Sequence, residues 1–301
     1  MRPLLVLTSA LALATRCAAR PYSEWLASSF IVRNATITRH YDPVVLYDGI
    51  ARAAVHVGND TLLRAADAAV SSLVTDAGVL VGWDPEYYSL DDIRIGNYIL
   101  WLYRRTNETR YRVVADALRR QLGRWPRTPR GGFWHRAPIY EEHTRNRTSN
   151  LLVHGYDEAR DALPAYGRLL GYFSALADGL ERSQDEGGGW WLIMNEGYEA
   201  REGNYIESSA TAMFAYGLLR GVRDGLLEER YRGVGLRAYD LLTSRFIRHD
   251  KDGNISFLGT VQVGSLNSNA IFEYYTSIPV VENDARGGGA FLFAAIEAEQ
   301  V

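Results

Sequence analysis

From about Tyr41 onward, apolar residues return every three or four positions, the spacing that lays them along one face of an α-helix. Leu62, Ala65, Ala66, Ala69 and Leu73 form one such stripe, with charged residues between them. The sustained polar–apolar alternation of a half-buried strand is scarce, and glycines punctuate the helical stretches. Ile93, Ile95, Tyr98, Ile99, Leu100, Trp101 and Leu102 are so densely apolar that they predict a helix buried on most of its surface. Low-complexity linkers are absent, so one domain is expected over residues 20–301.

A weak internal repeat organises these helices. Aligning Asp91 with Glu207 also places Leu102 on Leu218 and Arg104 on Arg220. After a four-residue insertion, Arg110-Tyr111-Arg112 falls on Arg230-Tyr231-Arg232. Each copy reads as a helical hairpin: an acidic residue opens an apolar helix, and an Arg-Tyr-Arg stretch begins a more polar returning one. Arranged in a ring, such hairpins give an inner layer of apolar helices and an outer layer of amphipathic ones, an all-α (α/α) toroid.

Composition narrows the chemistry. The 301 residues include 7 Trp, 19 Tyr and 9 Phe, which leans toward a cleft that stacks on sugar rings. A net charge of −3 provides no basic surface to neutralise phosphates, so no nucleic-acid partner is expected. Arg2, the apolar run Leu4 to Ala14, and Ala19 read as a cleaved secretory signal over 1–19, too short to span a membrane. Sequons at Asn34, Asn59, Asn107, Asn146 and Asn254 agree with export and glycosylation. The single cysteine, Cys17, lies within the signal, so a mature chain would have no thiol chemistry and no disulfide. The six histidines show no zinc-binding spacing, and neither metal nor cofactor is expected.

Several motifs could carry chemistry. Ser89 and Asp92 fit a capping box at a helix start, which leaves Asp91 beside them without that structural duty. Asn204-x-x-Glu207 repeats the capping pattern and reads as structural. In Gly131-Gly-Phe-Trp134-His135, the glycines would let backbone approach a ligand, Trp134 offers a stacking face, and His135 could donate to a hydroxyl or carboxylate. His154-Gly-Tyr156-Asp157 is a second loop of that kind. Tyr166-Gly-Arg168-x-x-Gly-Tyr172 sets a guanidinium between aromatic residues, where it could clamp a carboxylate. Gly264 to Asn269 and Asn283 through Phe291 read as loops before the last helix.

Taken in order, His40-Tyr41, Leu90-Asp91-Asp92-Ile93, Gly131 to His135, His154 to Glu158, Tyr205-Ile-Glu207-Ser-Ser209 and Asn283 through Phe291 resemble glycoside hydrolase family 105 over almost the whole mature chain. The resemblance implies a six-hairpin (α/α)6 barrel acting on a Δ4,5-unsaturated uronic acid at the non-reducing end of a pectin oligosaccharide, the product of a lyase. In that family an acid protonates the vinyl-ether double bond, water adds at C5, and the hemiketal collapses without metal or cofactor. By resemblance, Asp91 is the assisting acidic residue. Tyr41, Trp134, His135, His154 and Arg168 belong to the substrate site, and Tyr166 and Tyr172 stand where tryptophan is usual. The chain would be a secreted monomer that binds unsaturated uronic-acid oligosaccharides and neither nucleic acid nor membrane.

One departure stands out. The family's Gly-Gly-Phe-Trp-His loop is followed by a Gln-Met-Trp-Leu-Asp-Gly type of stretch whose aspartate is the main proton donor. Here Ile139-Tyr140 runs directly into Glu141-Glu142-His143. About thirty residues are missing, enough for a helix with its loops, and a shorter gap lies between Asp161 and Leu163. The barrel is therefore expected to be incomplete by about one helix, and the activity impaired, through either a dropped exon or a true loss. Two alternatives stay open: a non-catalytic sugar-binding protein, and another toroid glycosidase that uses the adjacent pair Asp91-Asp92.

Overall fold

A computed structural model of the chain describes residues 20–127, 133, 135–137, 166–264 and 271–301. The signal at 1–19, Trp134, Asn146 and His154 lie outside these residues. Eleven helices are described, in chain order: α1 (Tyr22–Val32), α2 (Tyr41–Val57), α3 (Asp60–Ser71), α4 (Leu90–Ile93), α5 (Gly96–Thr106), α6 (Thr109–Gly123), α7 (Tyr166–Ser183), α8 (Ser208–Arg223), α9 (Arg230–Arg245), α10 (Phe272–Thr276) and α11 (Ala285–Ala298). The strands are short and antiparallel, in three pairs: β1 (Tyr88–Ser89) with β2 (Arg136–Ala137), β3 (Ile247–His249) with β4 (Ile255–Phe257), and β5 (Thr260–Val261) with β6 (Val280–Val281).

The helices form two layers. α11 packs between α2 and α8, α3 backs α2, α9 backs α8, α6 backs α5, and α1 lies across α2 and α11. Burial separates the layers as the hydrophobic pattern requires. α2 buries ten of its 17 residues and α11 nine of 14, whereas α3 buries three of 12. Turn chemistry closes the hairpins: Gly58 ends α2 in the left-handed region (φ 70°), and Asn59 then caps α3 by accepting from the Leu62 amide at 3.0 Å. Asn107 ends α5 in the same left-handed way.

The internal repeat is a real structural equivalence. Leu102 and Leu218 are both buried, as are Tyr111 and Tyr231. In each copy the arginine before the tyrosine lies over its ring and donates to its hydroxyl, Arg110 to Tyr111 at 2.7 Å and Arg230 to Tyr231 at 2.5 Å. Each hydroxyl then ties its outer helix to the outer helix before it, reaching Ser71 of α3 in one copy and Asp178 of α7 in the other.

Three expectations are corrected. The apolar run 93–102 breaks between α4 and α5, and only one face of α5 is buried, through Tyr98, Ile99 and Leu102. Leu100 is 43% exposed because no described element covers that side. Residues 287–289 are not a loop but lie inside α11, where its first turn passes into its second. A Cβ on Gly289 would stand 3.0 Å from the Leu46 backbone nitrogen and 2.8 Å from Val45, and one on Gly288 would meet the Phe30 ring at 2.5 Å. These glycines allow α11 to approach α1 and α2 closely. Finally, neither capping box forms as expected: a tertiary partner takes Asp92, and Glu207 occupies the N-cap position itself. Ser89 makes no side-chain cap and Asp92 is held by Arg39 at 2.7 Å. Glu207 is itself the cap of α8, while Asn204 ties the preceding loop through Ile193 and Tyr198.

Candidate active site

Three helix starts converge. α2 opens with His40 as its N-cap, followed by Tyr41 and Asp42; α4 opens with Leu90, Asp91 and Asp92; α11 opens with Asp284 as its N-cap, followed two residues on by Arg286. The β1–β2 pairing brings in a fourth segment. Ser89 pairs with Arg136, and the Leu90 amide donates to the His135 carbonyl at 3.0 Å, so His135 and Arg136 arrive beside Asp91.

Asp91 is the centre of the cluster. Its Oδ2 lies 2.8 Å from Arg136 Nη2, 3.5 Å from His135 Nε2 and 3.9 Å from His40 Nε2. Burial pushes the Asp91 carboxyl up, but hydrogen bonds and positive charge from His135 and Arg136 prevail and hold it at about 2. Asp92 moves the other way: its burial outweighs the attraction of Arg39 and raises it. Two neighbouring carboxyls are thus driven apart, but Asp92, the raised one, is buried against Arg39 and presents no surface to a ligand.

Around this centre, burial raises the Tyr41 hydroxyl despite the hydrogen bond and charge of Arg286, whose guanidinium is paired with Asp284. His40 Nδ1 meets Asp42 Oδ1, and its ring packs on that of Tyr41 at 4.9 Å. Beneath the cluster, buried Asp48 of α2 receives Arg94 at 2.9 Å, which fixes the α4–α5 turn. A hollow of about 390 Å³ is lined by Arg33, Thr38, Asp42 and Asn283 among others, and its walls do not include Asp91.

Of the residues expected at a site, the structure brings Asp91 and His135 into contact and sets Tyr41 within electrostatic reach of Asp91. Tyr166, Arg168 and Tyr172 begin α7. Arg168 is exposed, Tyr172 is 70% exposed, and among the described residues no hydrogen bond or ion pair joins them to Asp91. Sequence reasoning did not single out Arg39, Asp42 and Arg136, and met His40 and Arg286 only inside longer matching stretches without giving them a role. Four of the five carried a signal, since His40 and Asp42 flank Tyr41, Arg136 follows His135, and Arg286 follows the cap of the last helix. Glu207, the repeat partner of Asp91, is buried and fully occupied: it accepts from Ser209 Oγ and from the amides of Ala210 and Val261.

The profile of Glycosyl Hydrolase Family 88 matches residues 22–148 and 152–301. Among solved structures, the chain is similar to a family 105 glycoside hydrolase from C. acetobutylicum, with 27% identity, a TM-score of 0.76, and coverage of 94% of this chain and all of that one. It also shares its fold with a possible family 105 member from Klebsiella pneumoniae at 14% identity and a TM-score of 0.71, over 100% of this chain and 99% of that one. Protein Atu3128 of Agrobacterium fabrum is 33% identical over 192 residues, covering 49% of this chain and 82% of that protein. With its two-layered helical arc, a carboxylate held by histidine and arginine at the helix starts, and a family profile running along nearly its whole length, the chain belongs to Glycosyl Hydrolase Family 88, as a family 105-like glycoside hydrolase of the (α/α) toroid fold.

Proposed function

We propose that this site is built for a Δ4,5-unsaturated galacturonyl residue at the non-reducing end of a pectin-derived oligosaccharide, and that the present chain binds it but turns it over poorly. The observation that carries the reading is Asp91, a carboxylate kept ionised by His135 and Arg136 at the mouth of converging helices. An ionised carboxylate accepts; it orients a hydroxyl or takes a proton from the attacking water. It does not supply the proton that the vinyl ether requires.

Among the described residues, no carboxylic acid with a raised pKa faces Asp91 to supply that proton. The donor-bearing stretch expected after Tyr140 is missing from the sequence, and Asp92 is sealed against Arg39. The alignment with Protein Atu3128 supports a deletion: 49% of 301 residues is about 147, fewer than the 192 aligned positions. Loss of a general acid typically lowers the rate ~10²–10⁴-fold. A purely sugar-binding role is the second reading, favoured by the same missing donor.

Incubation with an unsaturated rhamnogalacturonan disaccharide, followed by loss of the double-bond absorbance, tests the proposal. The present chain should be nearly silent, and a version with the thirty-residue stretch restored after Tyr140 should be active. A silent restored version would reject the hydrolase reading. Export is part of the same proposal. It is supported by exposed sequons at Asn34 and Asn107, whereas Asn59 and Asn254 have their amides engaged with Glu24 and Asp252.

A further inference from the structure

We propose that His40 is a ligand-contacting residue of this site, that it reads a ring hydroxyl of the uronide jointly with Asp91, and that Asp42 is the positioning residue that aims it. The inference rests on the uronide reading above and adds two residues to it.

The geometry is that of an imidazole between two carboxylates. Nδ1 meets Asp42 Oδ1, while Nε2 faces Asp91 Oδ2 at 3.9 Å. Asp42 engages one ring nitrogen and leaves the other turned toward Asp91, and either nitrogen of an imidazole can take part in a hydrogen bond. The ring leans on Tyr41 at 4.9 Å, which fixes its plane.

The 3.9 Å gap is the informative distance. It is too long for a direct hydrogen bond, yet an oxygen set off the line between the two atoms can lie about 2.8 Å from each. A hydroxyl there, being both donor and acceptor, can bridge His40 Nε2 and Asp91 Oδ2. A ring hydrogen or a methyl group could fill neither role, so the pair favours a sugar that carries a hydroxyl at that position. Exposure agrees: the His40 side chain is 44% exposed and Asp91 13%, which makes His40 a face that an arriving ligand meets. His135 and Arg136 also address Oδ2, so the three groups converge on the same carboxylate oxygen.

The test uses the full chain and lyase-made unsaturated digalacturonate, with binding followed by calorimetry. H40Q should weaken binding about two- to ten-fold, as expected for the loss of one hydrogen bond. A ligand lacking the C2 or the C3 hydroxyl of the unsaturated ring should lose a similar factor against the native chain and little more against H40Q. Equal binding by H40Q, or full additivity of the two losses for both deoxy ligands, would overturn the inference while leaving the uronide reading standing. Failure of the native chain to bind would overturn both. D42N should weaken binding and displace the imidazole nitrogen resonances of His40; unchanged binding would remove Asp42 from the proposal. Should H40Q not fold, ligand protection of His40 from diethylpyrocarbonate in the native chain decides the matter, and unprotected modification would refute the contact.

Discussion

Arg136 Nη2 stands 2.8 Å from Asp91 Oδ2 because two residues of β2 pair with the two residues that immediately precede α4. A two-residue ladder is a weak structure by itself, and the ion pair lies at its end. The pairing and the charge therefore support each other, and the site's centre is tied to the stability of this contact.

That tie has a pH signature. Asp91 is held at about 2, below the ordinary 3.8, so its contribution is present above about pH 4 and lost as the pH falls through about 2. The shift corresponds to roughly 2 kcal/mol. Asp91→Asn should therefore lower unfolding stability at pH 5 by more than it does at pH 2. Denaturant unfolding of both proteins at the two pH values measures the difference, and a gap that does not narrow at pH 2 would deny the Asp91 clamp.

Glycines in the helices divide by what surrounds them. Gly289→Ala puts a methyl 2.8 Å from Val45 and 3.0 Å from the Leu46 backbone nitrogen, so it should cost about 1–3 kcal/mol as α11 is pushed off α2. Gly217, on α8, has nothing within 4 Å of an added Cβ. Gly217→Ala should stabilise by about 0.5–1 kcal/mol through helix propensity alone. Thermal unfolding of the two variants should move in opposite directions, and a common direction would contradict the close approach.

Glu207 answers a different question, whether the repeat partner of Asp91 shares its chemistry. Its two oxygens are taken up by Ser209 and by the amides of Ala210 and Val261. Glu207→Ala leaves those buried groups unpaired and should cost about 2–4 kcal/mol. Uronide affinity, measured where the variant is still folded, should stay near that of the native chain. A large loss of affinity without loss of stability would move Glu207 into the site.

The parts of the molecule legible in the sequence are those set by local pattern. Tyr111 and Tyr231 betray the hairpin repeat because each must be buried at the same point of its unit, with an arginine beside it. Asp91 was recognisable as the residue a capping box would leave over. The structure sets Asp91 among His135, Arg136 and His40 by another route, since Ser89 does not cap and Asp92 serves Arg39. What the sequence hid depends on separation along the chain. Arg39 meets Asp92 across 53 positions and Arg136 meets Asp91 across 45, and no periodicity encodes such pairs. The glycines at 287–289 misled for a related reason: read locally they signal a turn, and only the backbone of α2 explains them.

The face of α7 bears on the missing stretch. Leu169, Tyr172 and Leu176 recur at helical spacing and are 40%, 70% and 56% exposed, so one side of the helix is apolar and uncovered. On α8, Met213 is 54% exposed, and on α5, at the other end of the arc, Leu100 is 43% exposed. Among the described residues, exposed apolar groups on α5, α7 and α8 are what the proposed loss of a packed segment would leave behind. Restoring the thirty residues after Tyr140 should therefore lower binding of a hydrophobic dye and raise the unfolding temperature, along with any gain of hydrolysis. Dye binding tests the packing argument independently of catalysis: if the restored chain bound as much dye as the present one, these apolar residues would belong to some other surface, whatever its activity.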